Sequence, residues 1–151
     1  MNFFDRVTIS LLGLAAILIW LMAGLDLPDS LDERLYYSGS EARALLQRLT
    51  PEQLKAYFHN EILDLCLVAS YTAALLRIFG KLYPNLRWPC ALALTLGSAD
   101  LIETVAIMVV LKSALALSVF DWLGWVTLVK WVLAAAAVAP LIWRGAASLR
   151  R

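Results

Sequence analysis

One histidine and two cysteines are the only imidazole and thiol ligands that this 151-residue chain offers to a transition metal or a redox centre. His59 alone cannot supply the two axial imidazoles of a haem. Neither Cys66 nor Cys90 has a second thiol or imidazole at ligand spacing, so no metal site and no resident cofactor is expected. The cysteines are predicted at different depths, Cys66 in the outer half of the second apolar stretch and Cys90 near the inner end of the third. A disulfide needs Cα atoms within about 7 Å, so both are read as small apolar core residues. Charge is also scarce. Asp, Glu, Lys and Arg make up 17% of the chain, the net charge is +1, and no basic run occurs. That leaves no electrostatic footprint for nucleic acid. No 20–50-residue repeat is present. The Ala134–Ala137 run has low complexity, and small residues of this kind let membrane helices approach closely.

What the chain has in abundance is apolar sequence. It is 62% hydrophobic, against about 45–50% for a soluble domain, and its mean hydropathy is +0.74. At about 20 residues per span, this predicts an all-α polytopic membrane protein, a single domain over 1–151. Four transmembrane helices, at about 4–27, 57–79, 88–112 and 120–143, should form an antiparallel bundle. A short extramembrane amphipathic helix is expected between spans one and two. Val7 to Leu25 is a stretch of 19 residues without charge, longer than the usual h-region of about 7–15 residues. Met22-Ala23-Gly24 is a poor cleavage site, so the first stretch is read as an uncleaved span.

Local signals place the elements. Pro28, Asp29 and Ser30 end span one. Ser38-Gly39-Ser40-Glu41 fits a capping box, and the following residues put Leu45, Leu46 and Leu49 on one face, as in a helix lying on the membrane surface. Thr50-Pro51-Glu52-Gln53 is a second capping box with proline at the first helical position. The second long helix should therefore start outside the bilayer and stop at Gly80 and Pro84. Trp88-Pro89 opens span three, and Pro140 should loosen the last turns of span four. Tyr36, Tyr37, Trp88, Trp122, Trp125 and Trp143 suit the interfacial belts, whereas Trp20 and Trp131 are read as deeper packing residues. Glu61 and His59 are expected near the outer interface, in contact with water.

Basic residues set the orientation. Arg6, Arg77, Lys81, Arg87, Arg144, Arg150 and Arg151 fall on one side. Arg34, Arg43, Arg48, Lys55 and Lys112 fall on the other, diluted by acidic residues. Both termini are predicted to be cytoplasmic and segment 28–56 to face outward, in a bacterial inner membrane.

Ionisable residues interrupt three of the four spans. Asp64 lies in the second, Asp100 and Glu103 in the third, and Lys130 in the fourth. A charge at a helix centre costs about 2.5–3.5 kcal/mol on insertion scales, so such residues face a bundle interior and find partners. Counted from the outer ends, Glu103 is nine residues below Lys112 and Lys130 nine below Asp121, so the two should be level. Asp100 lies one turn deeper, and Asp64 at a similar level. Asp100 and Glu103, spaced i, i+3, share a face flanked by Thr104 and Ile107. Tyr71 and Thr127 could complete a hydrogen-bond network, and Asp26 could close its rim. One cation against three carboxylates implies that one carboxyl carries a proton or that a bound cation supplies the missing charge. The cluster is either an ion pair fixing helix register or a functional cavity.

Leu49-Thr50 to Tyr57 leading into Asp64, Ala99-Asp100-Leu101-Ile102-Glu103 and Thr127-Leu128-Val129-Lys130-Trp131 together resemble bacterial four-helix integral membrane proteins over most of residues 30–131. That resemblance carries no activity with it. The layout is also similar to that of the EXPERA group, which includes sterol isomerases and the sigma-2 receptor. That group has four spans, an aspartate after span one, an extramembrane segment and acidic residues facing a lipid-like pocket. Asp26, Asp64 or Glu61, and Asp100 with Glu103 stand in comparable places. The isomerases' histidine has no counterpart inside the bundle, and Lys130 departs from the pattern.

Three functions follow as expectations. The first is a protein binding a lipid-like or small ligand, or an accessory membrane subunit, with Asp64, Tyr71, Asp100, Glu103, Thr127 and Lys130 at the site. Its partners would be membrane lipids, a protein or a second copy of the chain. The second is a membrane enzyme acting on an isoprenoid or other lipid. Glu103 or Asp100 would serve as general acid, the neighbouring carboxylate as base or electrostatic stabiliser, and Asp64 would orient the pair. The third is proton or cation transfer. It is disfavoured because no acidic relay reaches the cytoplasmic side.

Overall fold

A computed structural model describes residues 5–25, 27, 30–31, 33–112 and 120–149, with side chains along the last helix followed as far as Trp143. Every regular element among them is a helix: α1 (Arg6–Ala23), α2 (Gly39–Arg48), α3 (Pro51–Leu82), α4 (Trp88–Lys112) and α5 (Phe120–Leu149). Four are long and apolar enough to cross a membrane, namely α1, α3, α4 and the Phe120–Trp143 part of α5. With 32 residues, α3 is about 48 Å long at 1.5 Å per residue. That exceeds the roughly 30 Å of a bilayer core.

The helix starts are chemically specified. Ser38 and Glu41 form a reciprocal capping box on α2, and Thr50 and Gln53 form another on α3, where Pro51 occupies the first turn. The Ser38 backbone N–H donates to Glu41 Oε2 at 2.7 Å, and this holds the Glu41 carboxyl below its usual range. Asp5 caps α1 by accepting from the Thr8 N–H and hydroxyl at 2.8 Å. Its other oxygen lies 2.5 Å from Arg77 Nη2 and 2.7 Å from Lys81 Nζ. That clamp pins the start of α1 to the far end of α3. Helix α3 ends at Leu82, between Gly80 and Pro84, where its stop is expected. Helix α5 continues through Pro140 to Leu149, and the Pro140 carbonyl accepts from Tyr83 Oη at 3.4 Å.

Helix α3 packs on α1 and α4, and α5 packs on α4 and α2. Gly97 permits the close approach of α4 to α3, because a Cβ there would strike the side chain of Thr72. Two apolar clusters result. One gathers Leu31, Tyr37, Ala42, Leu49, Tyr57, Ile107, Val110, Phe120 and Leu123. The other gathers Phe79, Ala93, Leu96 and Ala137. Along α3, α4 and α5 alike, the buried charged residues Glu61, Asp64, Asp100, Glu103 and Lys130 fall between the two. The polar layer is therefore enclosed above and below by apolar packing.

Four local expectations change. Cys66 is exposed on α3 rather than a core residue. The apolar face of α2 packs on protein. Ala42 is fully buried, Leu45 and Leu46 pack on the first cluster, and Tyr37 is buried with them. An apolar helical stripe has the same sequence signature whether protein or lipid covers it. Glu61 is fully buried rather than wetted, because its spacing from Tyr57, Asp64 and Val68 puts it on the packed face of α3. Trp20 is 74% exposed and Trp131 38% exposed, so neither is a deep packing residue. The Trp131 indole N–H instead donates to the Arg34 carbonyl at 2.9 Å.

Candidate binding site

The site begins with Lys130 on α5. Its Nζ lies 2.5 Å from Glu103 Oε2 and 3.1 Å from Asp100 Oδ1. One helical turn separates the two carboxylates on α4, so a single ammonium level with Glu103 reaches both. Each carboxylate takes a second donor on its other oxygen. Tyr71 Oη donates to Asp100 Oδ2 at 2.6 Å, and Thr127 Oγ1 donates to Glu103 Oε1. Asp64 joins through Thr104, whose hydroxyl donates to Asp64 Oδ2 at 2.6 Å. The Lys130 ammonium also stands 5.7 Å from the centre of the Trp131 ring, within cation–π range.

All six residues expected at the site thus converge on one hydrogen-bonded layer, but they do not share one role. A cavity of about 1060 Å³ opens beside the layer, and Asp64, Tyr71, Asp100 and Lys130 line it. Glu103 and Thr127 do not; both are fully buried behind Lys130. They hold the ammonium in place from the protein side. This volume is at the upper end of the roughly 300–1,000 Å³ of small-molecule sites.

The cavity lies between α1 and α5, which are not among the packed helix pairs. Ile19, Met22 and Ala23 of α1 face Trp131, Ala134, Ala137 and Val138 of α5 across it. Its floor is the α3 stripe Asn60, Asp64, Leu67, Tyr71 and Leu75, together with Leu96 and Asp100 of α4. Leu25, Leu27, Ser30 and Glu33 close one end. Hydrogen bonds from Leu31 N to Tyr57 Oη and from Trp131 to the Arg34 carbonyl, both 2.9 Å, tie that segment down. The cavity is polar at the end covered by this segment and apolar at the other.

Asn60, Ser30 and the buried state of Glu61 were not anticipated. Asn60 had a signal, because Asn60, Asp64, Leu67 and Tyr71 repeat at helical spacing along one face. Ser30 had none, because it lies in an irregular segment. Asp26 lies outside the described residues, as do Pro28 and Asp29. Among the described residues no group of His, Cys, Asp and Glu is arranged to hold a metal ion.

Compared with known proteins, the chain matches no family model, no curated protein and no solved structure.

Proposed function

We propose that this chain is an integral membrane protein that holds a lipid-like ligand in the cavity between α1 and α5. The single observation behind this reading is the position of the ion-paired layer on the wall of a large cavity that is polar at one end and apolar at the other. A register-fixing ion pair alone needs no such cavity. Ligand sites of helical bundles lie between helices and combine apolar walls with a few placed polar groups. The four long helices would cross a bacterial inner membrane as an antiparallel bundle. The opposite numerical order of the contacts Asp64–Thr104 and Tyr71–Asp100 supports that arrangement for α3 and α4. Both termini would be cytoplasmic and segment 28–56 outward-facing, as the distribution of basic residues favours.

Native mass spectrometry of the protein released from membranes tests this. Wild type is compared with Ala134→Trp, which fills the cavity without changing charge. A lipid-mass adduct on wild type that is absent from the variant is expected. Bare protein in both, or the same adduct in both, overturns the reading.

A second reading, catalysis on such a ligand, draws on one contact. Asp100 is bridged by Tyr71 and Lys130 at the cavity wall, a geometry suited to proton transfer. The acid–base pair would then be Asp100 and Asp64, because Glu103 lines no part of the cavity. Turnover of a bound lipid by wild type and its loss in Asp100→Asn would support this reading, and equal turnover would end it.

A further inference from the structure

The polar end of the cavity carries more than the ion-paired layer. Ser30 is buried, 4% exposed, and its hydroxyl has no hydrogen-bond partner among the described residues. It lines the cavity together with Asn60, itself buried on α3 one turn from Asp64. A buried hydroxyl without a partner costs stability unless something satisfies it. Asn60 offers both an amide N–H donor and a carbonyl acceptor, Ser30 offers one donor and an acceptor oxygen, and Asp64 accepts.

The floor changes character along its length. Going down α3, Asn60 and Asp64 give way to Leu67, to Tyr71, whose hydroxyl is engaged by Asp100, and to Leu75. Going down α5, Lys130 gives way to Ala134, Ala137 and Val138. From Asn60 to Leu75 the α3 stripe extends about 22 Å at 1.5 Å per residue. The shape is that of an amphiphile lying along the seam, with its head beneath the segment that contains Ser30.

The complement of donors and acceptors selects the head. An ammonium has donors only and leaves the Asn60 amide N–H groups without an acceptor. It would also be brought near the Lys130 ammonium, which opposes the attraction of Asp64 and Glu33. A carboxylate has acceptors only and would sit against Asp64. A hydroxyl both donates and accepts, and it carries no charge into a cavity whose walls hold both signs.

Resting on the ligand-binding reading above, we propose that Ser30, Asn60 and Asp64 form a headgroup subsite for an uncharged, hydroxyl-bearing amphiphile of the monoacylglycerol type. Its chain would run between α1 and α5. The head's hydroxyls donate to Asp64 and accept from Asn60 and Ser30, and the chain covers the apolar wall.

The test uses full-length protein in nanodiscs and three probes with one 18-carbon chain: monooleoylglycerol, oleylamine and oleate. Binding is measured on wild type, Asn60→Leu, Ser30→Ala and Ala134→Trp, each checked for an unchanged far-UV spectrum. The expected result is retention of monooleoylglycerol over both charged probes. Asn60→Leu should weaken it roughly tenfold, as loss of hydrogen bonds to a buried amide implies. The same change should leave oleylamine and oleate unaffected, and Ser30→Ala should act in the same direction with smaller effect. Equal or better retention of a charged probe, or a glyceride affinity indifferent to both substitutions, overturns the headgroup assignment. If Ala134→Trp still abolishes binding in that case, the ligand-binding reading survives. If no probe binds, the headgroup assignment fails, and the ligand-binding reading stands or falls with the native-mass adduct on wild type and Ala134→Trp.

Discussion

Replacing Lys130 by methionine keeps much of the side-chain volume and removes the only ammonium within salt-bridge distance of Asp100 and Glu103 among the described residues. The side chains of Lys130, Asp100 and Glu103 are 10%, 12% and 1% exposed, so solvent screens none of them effectively. Removing one partner of a buried pair strands the other charge, at a cost of about 3–5 kcal/mol. Removing both charges is often close to neutral. The two outcomes separate in a double-mutant cycle. Lys130→Met alone is expected to lose about 3–5 kcal/mol of unfolding free energy, measured by denaturant titration in mixed micelles. Lys130→Met combined with Glu103→Leu should recover only part of that loss, because Asp100 still lacks its ammonium. The rescue has a structural reason. Asp100 keeps the Tyr71 hydroxyl, and the Thr127 hydroxyl, no longer drawn to Glu103, lies 3.2 Å from the Leu123 carbonyl. A single variant that costs less than about 1 kcal/mol would refute the reasoning, since a buried charge would then have been stranded without penalty. Strict additivity of the two substitutions would refute it as well.

Other consequences follow from individual contacts. Thr127→Val removes the donor behind Glu103 and should destabilise by about 1–3 kcal/mol, while leaving ligand retention unchanged because Thr127 lines no cavity wall. Tyr71→Phe should do the opposite in emphasis, altering ligand retention more than stability, because Tyr71 lines the cavity and bridges to Asp100. At Gly124 a Cβ would run into the backbone of Tyr37. Gly124→Val should therefore cost about 1–3 kcal/mol through overpacking, read as a lower melting temperature. Glu41 has a depressed carboxyl. Its contribution to the first turn of α2 is present above the unfolded value of about 4.3 and is lost as pH falls through the lower folded value. Amide exchange at residues 39–42 should accelerate over that acidic window in wild type but not in Glu41→Gln.

The helices and their starts were readable because each rests on local chemistry. The boxes at Ser38–Glu41 and Thr50–Gln53 stand where the sequence places them, and depth counting from the helix ends puts Lys130 level with Glu103, its partner at 2.5 Å. What the sequence could not separate was the covering of an apolar face. Leu45, Leu46 and Tyr37 have one pattern whether lipid or α5 lies against them, and here it is protein. For the same reason Glu61 was misplaced, since burial of a single position depends on the direction in which α3 presents its stripe. The division of the site into cavity wall and backing was likewise invisible. Asp100 and Glu103 share a helix face in sequence, yet only Asp100 borders the cavity. That difference arises because α1 packs on α3 and leaves a seam beside α5, a tertiary feature without a local signal. Ser30 became part of the site only through the hydrogen bonds that fold its segment over the seam.

The central claim is that the seam between α1 and α5 is an occupied ligand site rather than an accident of packing. An experimental density map of the protein in lipid nanodiscs, prepared without detergent extraction, tests it most directly. Elongated density along Leu67, Leu75 and Ala134 is expected, ending in a head within hydrogen-bond distance of Asn60 and Asp64. Helices α1 and α5 closed against each other, with Trp131 packed on Met22 and no room between them, would contradict it.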